Sequence, residues 1–476
     1  MKTSKLVDRE NILTEGQNLL STPVWGNGRS LLVIGAFCPP RGGPNAQRVG
    51  AIGEYLSQWK WKIDLYSLKT PSDHAIEGVM YQRLIAAGAN INFIDENPQA
   101  SVYPWRIDGE QPWAEEVVKV VLKKAAEGKV WDAVLATSPP FSALWAGYKI
   151  SEALSIPLIT DLQDPWSLAE LWPFRSPIHL RFARRLHKQI CLASSAIIMN
   201  CQQATKAVCD EFKIRESKIF TIENGFDSTE VSNVMPAKRS ENDDRFLLVH
   251  IGTMMTEEGL REQGLLPVSA KERLSGLVKT SPAQTNTLAK SSYYLLHALR
   301  FGLDTNSEAA SRIHIEFIGP WSEYDEQITN DLRLKDKITV LPFSTRSEAM
   351  SRCKAADAVV LPLHTRRDGK PIRIVPSKTY DYLASGKPIL CLSEPCDAWS
   401  FIQDAERGIS AKPDSPDRIM QSLEQLVKLG GSLAGSADIP QVARFDWPNL
   451  IARMSAIIDQ VIPESAQKKP AKGGNE

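Results

Sequence analysis

The chain alternates short, continuous apolar runs with longer stretches of mixed polarity. Runs at 31–37, 63–68, 91–94, 133–137, 157–161, 196–200 and 219–222 lack the strict apolar-polar alternation of a half-buried strand. Such runs are the pattern of parallel strands covered on both faces. Helical patterns lie between several of them, at 46–59, 113–126 and 143–154. Strands that alternate with helices predict a doubly wound parallel sheet with helices on both sides. After a polar stretch the series starts again at 246–252 and continues at 313–318, 338–342, 358–363 and 388–392, with a further edge at 408–411. The expected fold class is therefore α/β, with two Rossmann-like doubly wound parallel-sheet domains. The boundaries read as an N-terminal extension at 1–28, a first domain at 29–232, a linker at 233–245, a second domain at 246–430 with an insertion at 253–292, a closing helical segment at 431–464 and a disordered tail at 465–476.

Composition narrows the function classes. A length of 476 residues exceeds one compact core and fits two or three domains. With 24% charged and 43% hydrophobic residues the composition is that of an ordinary soluble protein. A formal net charge of zero argues against general attraction to nucleic acid. The N-terminal residues have no apolar signal core and no run is long enough to cross a bilayer, so a cytoplasmic location is expected. Seven dispersed cysteines without a Cys-x-x-Cys pair suit a reducing compartment, and the seven histidines are dispersed too. No protein-held metal and no bound cofactor are expected.

Candidate chemistry gathers around 358–390. An apolar strand leads into a loop carrying Arg366, Arg367, Lys370 and Arg373, then into Ser377 as an N-cap, a helix over 378–385, Gly386 as its stop and Pro388 at the next strand. A helix N-terminus beside cationic side chains favours a phosphate. Taken alone, the same pattern also fits a plain βαβ connection with solvated charges. Gly42-Gly43 follows the first strand, where backbone can approach a ligand, though a simple Pro-Gly turn fits as well. The Gly-x-Gly-x-x-Gly spacing is absent, which argues against a nicotinamide dehydrogenase. Loops at 137–142, 161–166 and 223–227 should share the carboxyl edge of the first sheet. The basic amphipathic stretch 177–192 fits either a surface helix packed on the sheet or one facing an anionic membrane.

The segment Pro376-Ser377-Lys378-Thr379-Tyr380-Asp381-Tyr382-Leu383-Ala384-Ser385-Gly386-Lys387-Pro388-Ile389 resembles the donor-binding segment of retaining glycosyltransferases with the GT-B fold, the large family 4-like group that builds bacterial polysaccharides. Asp161-Leu162-Gln163-Asp164-Pro165-Trp166 and Asn224-Gly225-Phe226-Asp227 resemble loops of the same family. The chain departs from that pattern at Asp381, where relatives have Glu, and at Arg373, where many have a first Glu. It departs again at 253–292, where relatives carry a basic pair soon after the strand. The resemblance implies two domains facing a cleft and transfer of a sugar from a nucleotide-sugar donor to a saccharide or lipid-linked acceptor, with retention of configuration. It implies that Ser377 and Lys378, with Arg373 or one of the pair Arg366 and Arg367, hold the donor diphosphate, that Asp381 meets the ribose, and that Gly42 and Gly43 lie over the donor phosphates. Asp161 or Asp164 would orient the acceptor hydroxyl or act as base. The expected location is then cytoplasmic, with contact to the inner membrane face through 177–192. Two rivals share these donor-side groups: a nucleotide-sugar epimerase or phosphorylase, and a binding protein that has lost catalysis.

Overall fold

The computed structural model describes residues 23–70, 77–95, 106–240, 244–267, 279–342 and 345–463. Most of the expected N-terminal extension and the whole of the expected tail lie outside the described residues. The chain divides into two units, one of Met1–Ser167, Arg181–Asn224 and Trp447–Glu476, the other of Leu168–Leu180 and Gly225–Asp446.

The first unit is built on strands β1 (Ser30–Ile34), β2 (Lys62–Leu68), β3 (Asn90–Ile94), β4 (Ala133–Ser138), β5 (Leu158–Leu162), β6 (Ala196–Met199) and β7 (Ile219–Thr221). They pair in the order β3-β2-β1-β4-β5-β6-β7, every pair parallel. The central strands are buried on both faces, which is why their sequences are apolar without alternation. The helix Pro44–Gln58 starts with proline at its first position, where a missing N–H costs nothing. The last helix, Trp447–Val461, returns to this unit and packs Trp447, Leu450, Ile451 and Met454 against Leu31, Val33, Ile52 and Ile198. Its Ser455 Oγ accepts from Trp61 Nε1 at 3.1 Å.

The second unit carries β8 (Phe246–Ile251), β9 (Thr285–Asn286), β10 (Ile313–Ile318), β11 (Ile338–Leu341), β12 (Ala358–Pro362), β13 (Thr365–Arg366), β14 (Ile389–Leu392) and β15 (Gly408–Ala411). Six of them form a parallel sheet in the order β11-β10-β8-β12-β14-β15, and β13 and β9 make a small antiparallel pair. The strand expected only as an edge, 408–411, is β15 and stands there. Within the expected insertion the described residues include the helix Thr256–Glu262 and β9. The expected linker at 233–245 begins inside structured chain. The helix Ser228–Asn233 is capped by the Asp227 carboxylate, which accepts from Glu230 N. Its carbonyls at Val231 and Val234 accept from Lys354 Nζ at 2.6 and 3.0 Å, and these bonds tie it to the second unit.

Candidate functional site

On the first unit, the carboxyl ends of β4, β5 and β7 are drawn together by one buried cation. Arg48, on the helix Pro44–Gln58, is fully buried. Its Nε and Nη2 donate to Asp161 at 2.9 and 2.7 Å, while Nη1 donates to the Glu223 carbonyl at 2.6 Å and Nη2 to the Ile222 carbonyl at 3.1 Å. Thr137 Oγ1 donates to the same Asp161 carboxylate at 2.7 Å. A guanidinium with its five donors in a planar fork suits such a junction. Asp161, expected as a base or an acceptor-orienting group, thus has both oxygens occupied inside the protein and no exposure. Asp164 is partly exposed on the same loop. Beyond it Trp166 is buried with φ of 36° and stacks on Phe141 at 5.2 Å with the rings 11° from parallel.

Gly43 precedes the helix Pro44–Gln58 with φ of 103°, and an added Cβ would meet nothing within 4 Å. The backbone conformation, rather than a crowded neighbour within the protein, is what requires glycine there.

On the second unit, the helix Lys378–Ser385 forms over the expected span and ends at Gly386 in the left-handed conformation. Ser377 is in place at its start but has helical backbone angles and makes no side-chain cap. The amides of Thr379 and Tyr380 donate instead to the carbonyls of Pro376 and Ser377. Lys378 opens the helix, and its Nζ lies 3.4 Å from His250 Nε2 at the end of β8. Among the described residues no carboxylate pairs with it. Desolvation, then repulsion from Lys290, brings its pKa down from 10.5 to about 7. His364 is buried with an Nε2 that has no partner, and burial, Lys290 and Arg366 bring its pKa down to about 3. Gly252, with φ of 101°, follows β8, and a Cβ there would sit 3.0 Å from Lys378 Nζ. Lys290, Lys378, His250 and His364 therefore form a cationic and imidazole cluster beside the turn after β8.

The other expected donor-side residues are differently engaged. Arg366 is buried and clamps Asp368 through Nε at 2.9 Å and Nη2 at 2.6 Å, while its Nη1 meets Glu170 at 3.1 Å. Arg373 donates to the Leu168 carbonyl at 2.7 Å and lies 3.6 Å from Glu170. Burial pushes the Glu170 carboxyl upward, and the two arginines pull against it. Both guanidinium groups are thus held by a carboxylate of the protein, whereas Lys378 is not. Asp381 accepts from Arg346 at 2.7 Å, in a cluster that includes Glu230. Lys290 stands close enough to Lys378 to act on its ammonium. Nothing in the sequence paired those two, nor His250 with Lys378. Arg48 carried one signal, an arginine on an otherwise apolar helix face.

Among the described residues no group of histidine, cysteine, aspartate and glutamate is arranged to hold a metal ion, and no helix is long and apolar enough to cross a membrane.

Comparison with known proteins agrees with this architecture. Residues 46–230 match the family model Glycosyltransferase Family 4. The chain is similar to a glycosyltransferase from Rickettsia africae ESF-5, at 13% identity and a TM-score of 0.57 over 93% of this chain and 100% of that one. It is similar to sucrose-phosphate synthase from Thermosynechococcus elongatus, at 11% and 0.59 over 91% and 98%. A Listeria monocytogenes structure described as a UDP-N-acetylglucosamine 2-epimerase is also similar, at 11% and 0.53 over 93% and 97%. At these identities the likeness is one of fold. A comparison with curated protein sequences finds no match.

Proposed function

We propose, from the match of residues 46–230 to the model of Glycosyltransferase Family 4 and from a fold shared with GT-B glycosyltransferases, that the chain transfers a sugar from a nucleotide-sugar donor to a saccharide or lipid-linked acceptor. The observation that carries the donor assignment is Lys378, an ammonium at a helix N-terminus with Lys290 beside it and no carboxylate partner among the described residues. A desolvated ammonium without a carboxylate partner is costly until an anion arrives. In the transfer, the bond from the anomeric carbon to the donor phosphate oxygen breaks and its electron pair stays on the diphosphate. Preorganised cations lower the barrier to that charge development. The acceptor oxygen then bonds to the anomeric carbon and its proton passes to a base. On the first unit we assign that role to Asp164, since Asp161 is occupied by Arg48 and Thr137. Retention of configuration is supported by the resemblance of the segment around Lys378 alone.

The test is calorimetry and thermal shift with UDP, GDP and their sugar conjugates, followed by product analysis. A ligand bound only by the folded state raises the melting temperature. We expect nucleoside-diphosphate binding and transfer to an added saccharide or lipid-linked acceptor. Conversion of the sugar without an acceptor would make the protein an epimerase, and no binding by any nucleotide would overturn the donor site.

We assign the helix Pro177–Ala193 to an anionic membrane surface on the cytoplasmic side. Phe182 and Leu192 are exposed there, together with Arg181, Arg185 and Lys188. Cationic side chains beside exposed apolar ones suit an anionic leaflet. Sedimentation with anionic vesicles, reversed by salt, is expected, and equal sedimentation with neutral vesicles would reject the electrostatic contact.

A further inference from the structure

We propose that His250 is a positioning residue for the Lys378 ammonium, holding it as a neutral hydrogen-bond acceptor so that its charge stays available to the donor diphosphate. This rests on the donor assignment made above. His250 lies in β8 and is 1% exposed. Its Nδ1 is 3.0 Å from the carbonyl oxygen of Val360 in β12. A carbonyl only accepts, so Nδ1 carries the hydrogen. A neutral imidazole has one N–H, which leaves a lone pair on Nε2. That nitrogen is the one 3.4 Å from Lys378 Nζ, so the ammonium donates and the imidazole accepts.

The choice of a neutral acceptor matters chemically. A carboxylate in its place would fix the ammonium more strongly, but it would neutralise it and compete with phosphate. A second proton on His250 would destroy the acceptor. Burial first, then Lys378 and Lys290, keep that proton off, so the imidazole pKa lies well below 6.5. The groups that act on the pair are Lys290, from the segment before the helix Tyr293–Asp304, and Tyr382, from the helix of Lys378 itself. Tyr382 Oη accepts from the Ile251 amide at 2.8 Å and so ties that helix to the residue after His250. Gly252 then leaves room for Nζ. Residues 250–252 thus supply an acceptor, a tether and a gap, all directed at one ammonium.

His250 also packs on Phe317, with ring centroids 6.2 Å apart, so the competing account is a core histidine chosen for shape. The experiment measures UDP affinity by calorimetry and melting temperature for wild type, His250→Leu, His250→Asn and His250→Gln, each with and without Lys378→Ala. Asparagine keeps a donor toward Val360 but does not reach Lys378, whereas glutamine places an acceptor near the Nε2 position. We expect affinity to fall about tenfold in His250→Leu and His250→Asn and to return within about threefold of wild type in His250→Gln, with no further loss from any of them once Lys378 is alanine. Unchanged affinity in His250→Asn would overturn the proposal. So would an equal loss in the Lys378→Ala background, since the histidine would then act through packing. GDP replaces UDP in this series if wild type binds only GDP; if Lys378→Ala binds the nucleotide as well as wild type does, or if wild type binds neither, the donor assignment fails first and this inference falls with it.

Discussion

The carboxyl edges of the two sheets handle desolvated positive charge in opposite ways. At the first, the Arg48 guanidinium is enclosed by a carboxylate and two carbonyls, and Asp161 is completed by Thr137. At the second, the Lys378 ammonium meets only a neutral imidazole among the described residues and has Lys290 nearby. Both charges carry a desolvation cost, but only the first is offset within the protein. The first edge is therefore a structural junction that fixes three strand-end loops, and the second is where we propose that an anion binds. A functional residue here is distinguished less by its type than by whether the protein has already supplied its partner. Arg366 makes the same point inside the second unit: it belongs to the expected basic loop, yet Asp368 and Glu170 hold it.

Removing charge from the two edges should give opposite results, and the largest effect belongs to the first. Arg48→Met leaves Asp161 buried without a counter-charge and should cost about 3–5 kcal/mol of stability. Urea unfolding read by hydrogen exchange in β1, β4 and β5 measures it; a loss below about 1 kcal/mol would mean that the junction is dispensable. Lys378→Ala should do the reverse, weakening UDP binding by about 1.5–3 kcal/mol while leaving the fold as stable as before or more so. Calorimetry together with melting temperature decides it, and a variant that binds normally would class Lys378 with the solvated charges. Arg366→Gln should resemble the first edge, lowering stability by roughly 1–3 kcal/mol because it removes a hydrogen-bonded partner of buried Glu170. Its UDP affinity should stay within about threefold of wild type, and a larger loss would return Arg366 to the phosphate.

What could be read from the sequence followed from locality. The strands were legible because burial on both faces leaves continuous apolar runs, as at Leu31 to Ile34 and Ala358 to Leu361. The helix over Lys378–Ser385 was legible because Gly386 stops it at a fixed offset. Partnership was not legible. Arg48 and Asp161 are 113 residues apart, and His250 and Lys378 are 128 apart, so no spacing rule joins them. The basic loop misled for the same reason. Arg366 and Arg373 look free in sequence, but their carboxylate, Glu170, comes from the segment after β5. Asp161 looked catalytic on its motif, whereas its occupant Arg48 stands in a helix that carries no motif.

The smallest predicted effect is also the most specific to an ammonium without a carboxylate partner among the described residues. The pKa of Lys378 in the folded protein is about 7, against 10.5 for an unperturbed lysine. Between those values the unfolded chain holds a proton at this side chain that the folded chain has released. The unfolded state then binds more protons, so this group makes stability rise with pH from about 7 to about 10.5. Below pH 7 both states are protonated and the full desolvation penalty remains. Lys378→Met removes the titration, so the stability of wild type relative to the variant should be lowest at pH 6 and should climb as the pH is raised through 7 toward 9. Every other titrating group contributes to both proteins and largely cancels in the difference. The slope should be shallow, because Lys378 is partly exposed and solvent screens part of the cost. Saturating UDP should flatten it further or invert it, since a bound diphosphate keeps the ammonium charged. Urea unfolding of both proteins at pH 6, 7, 8 and 9, with and without UDP, reads the difference. A relative stability that falls with rising pH in the free protein would mean that a carboxylate pairs with Lys378 after all, and the contrast between the two sheet edges would disappear.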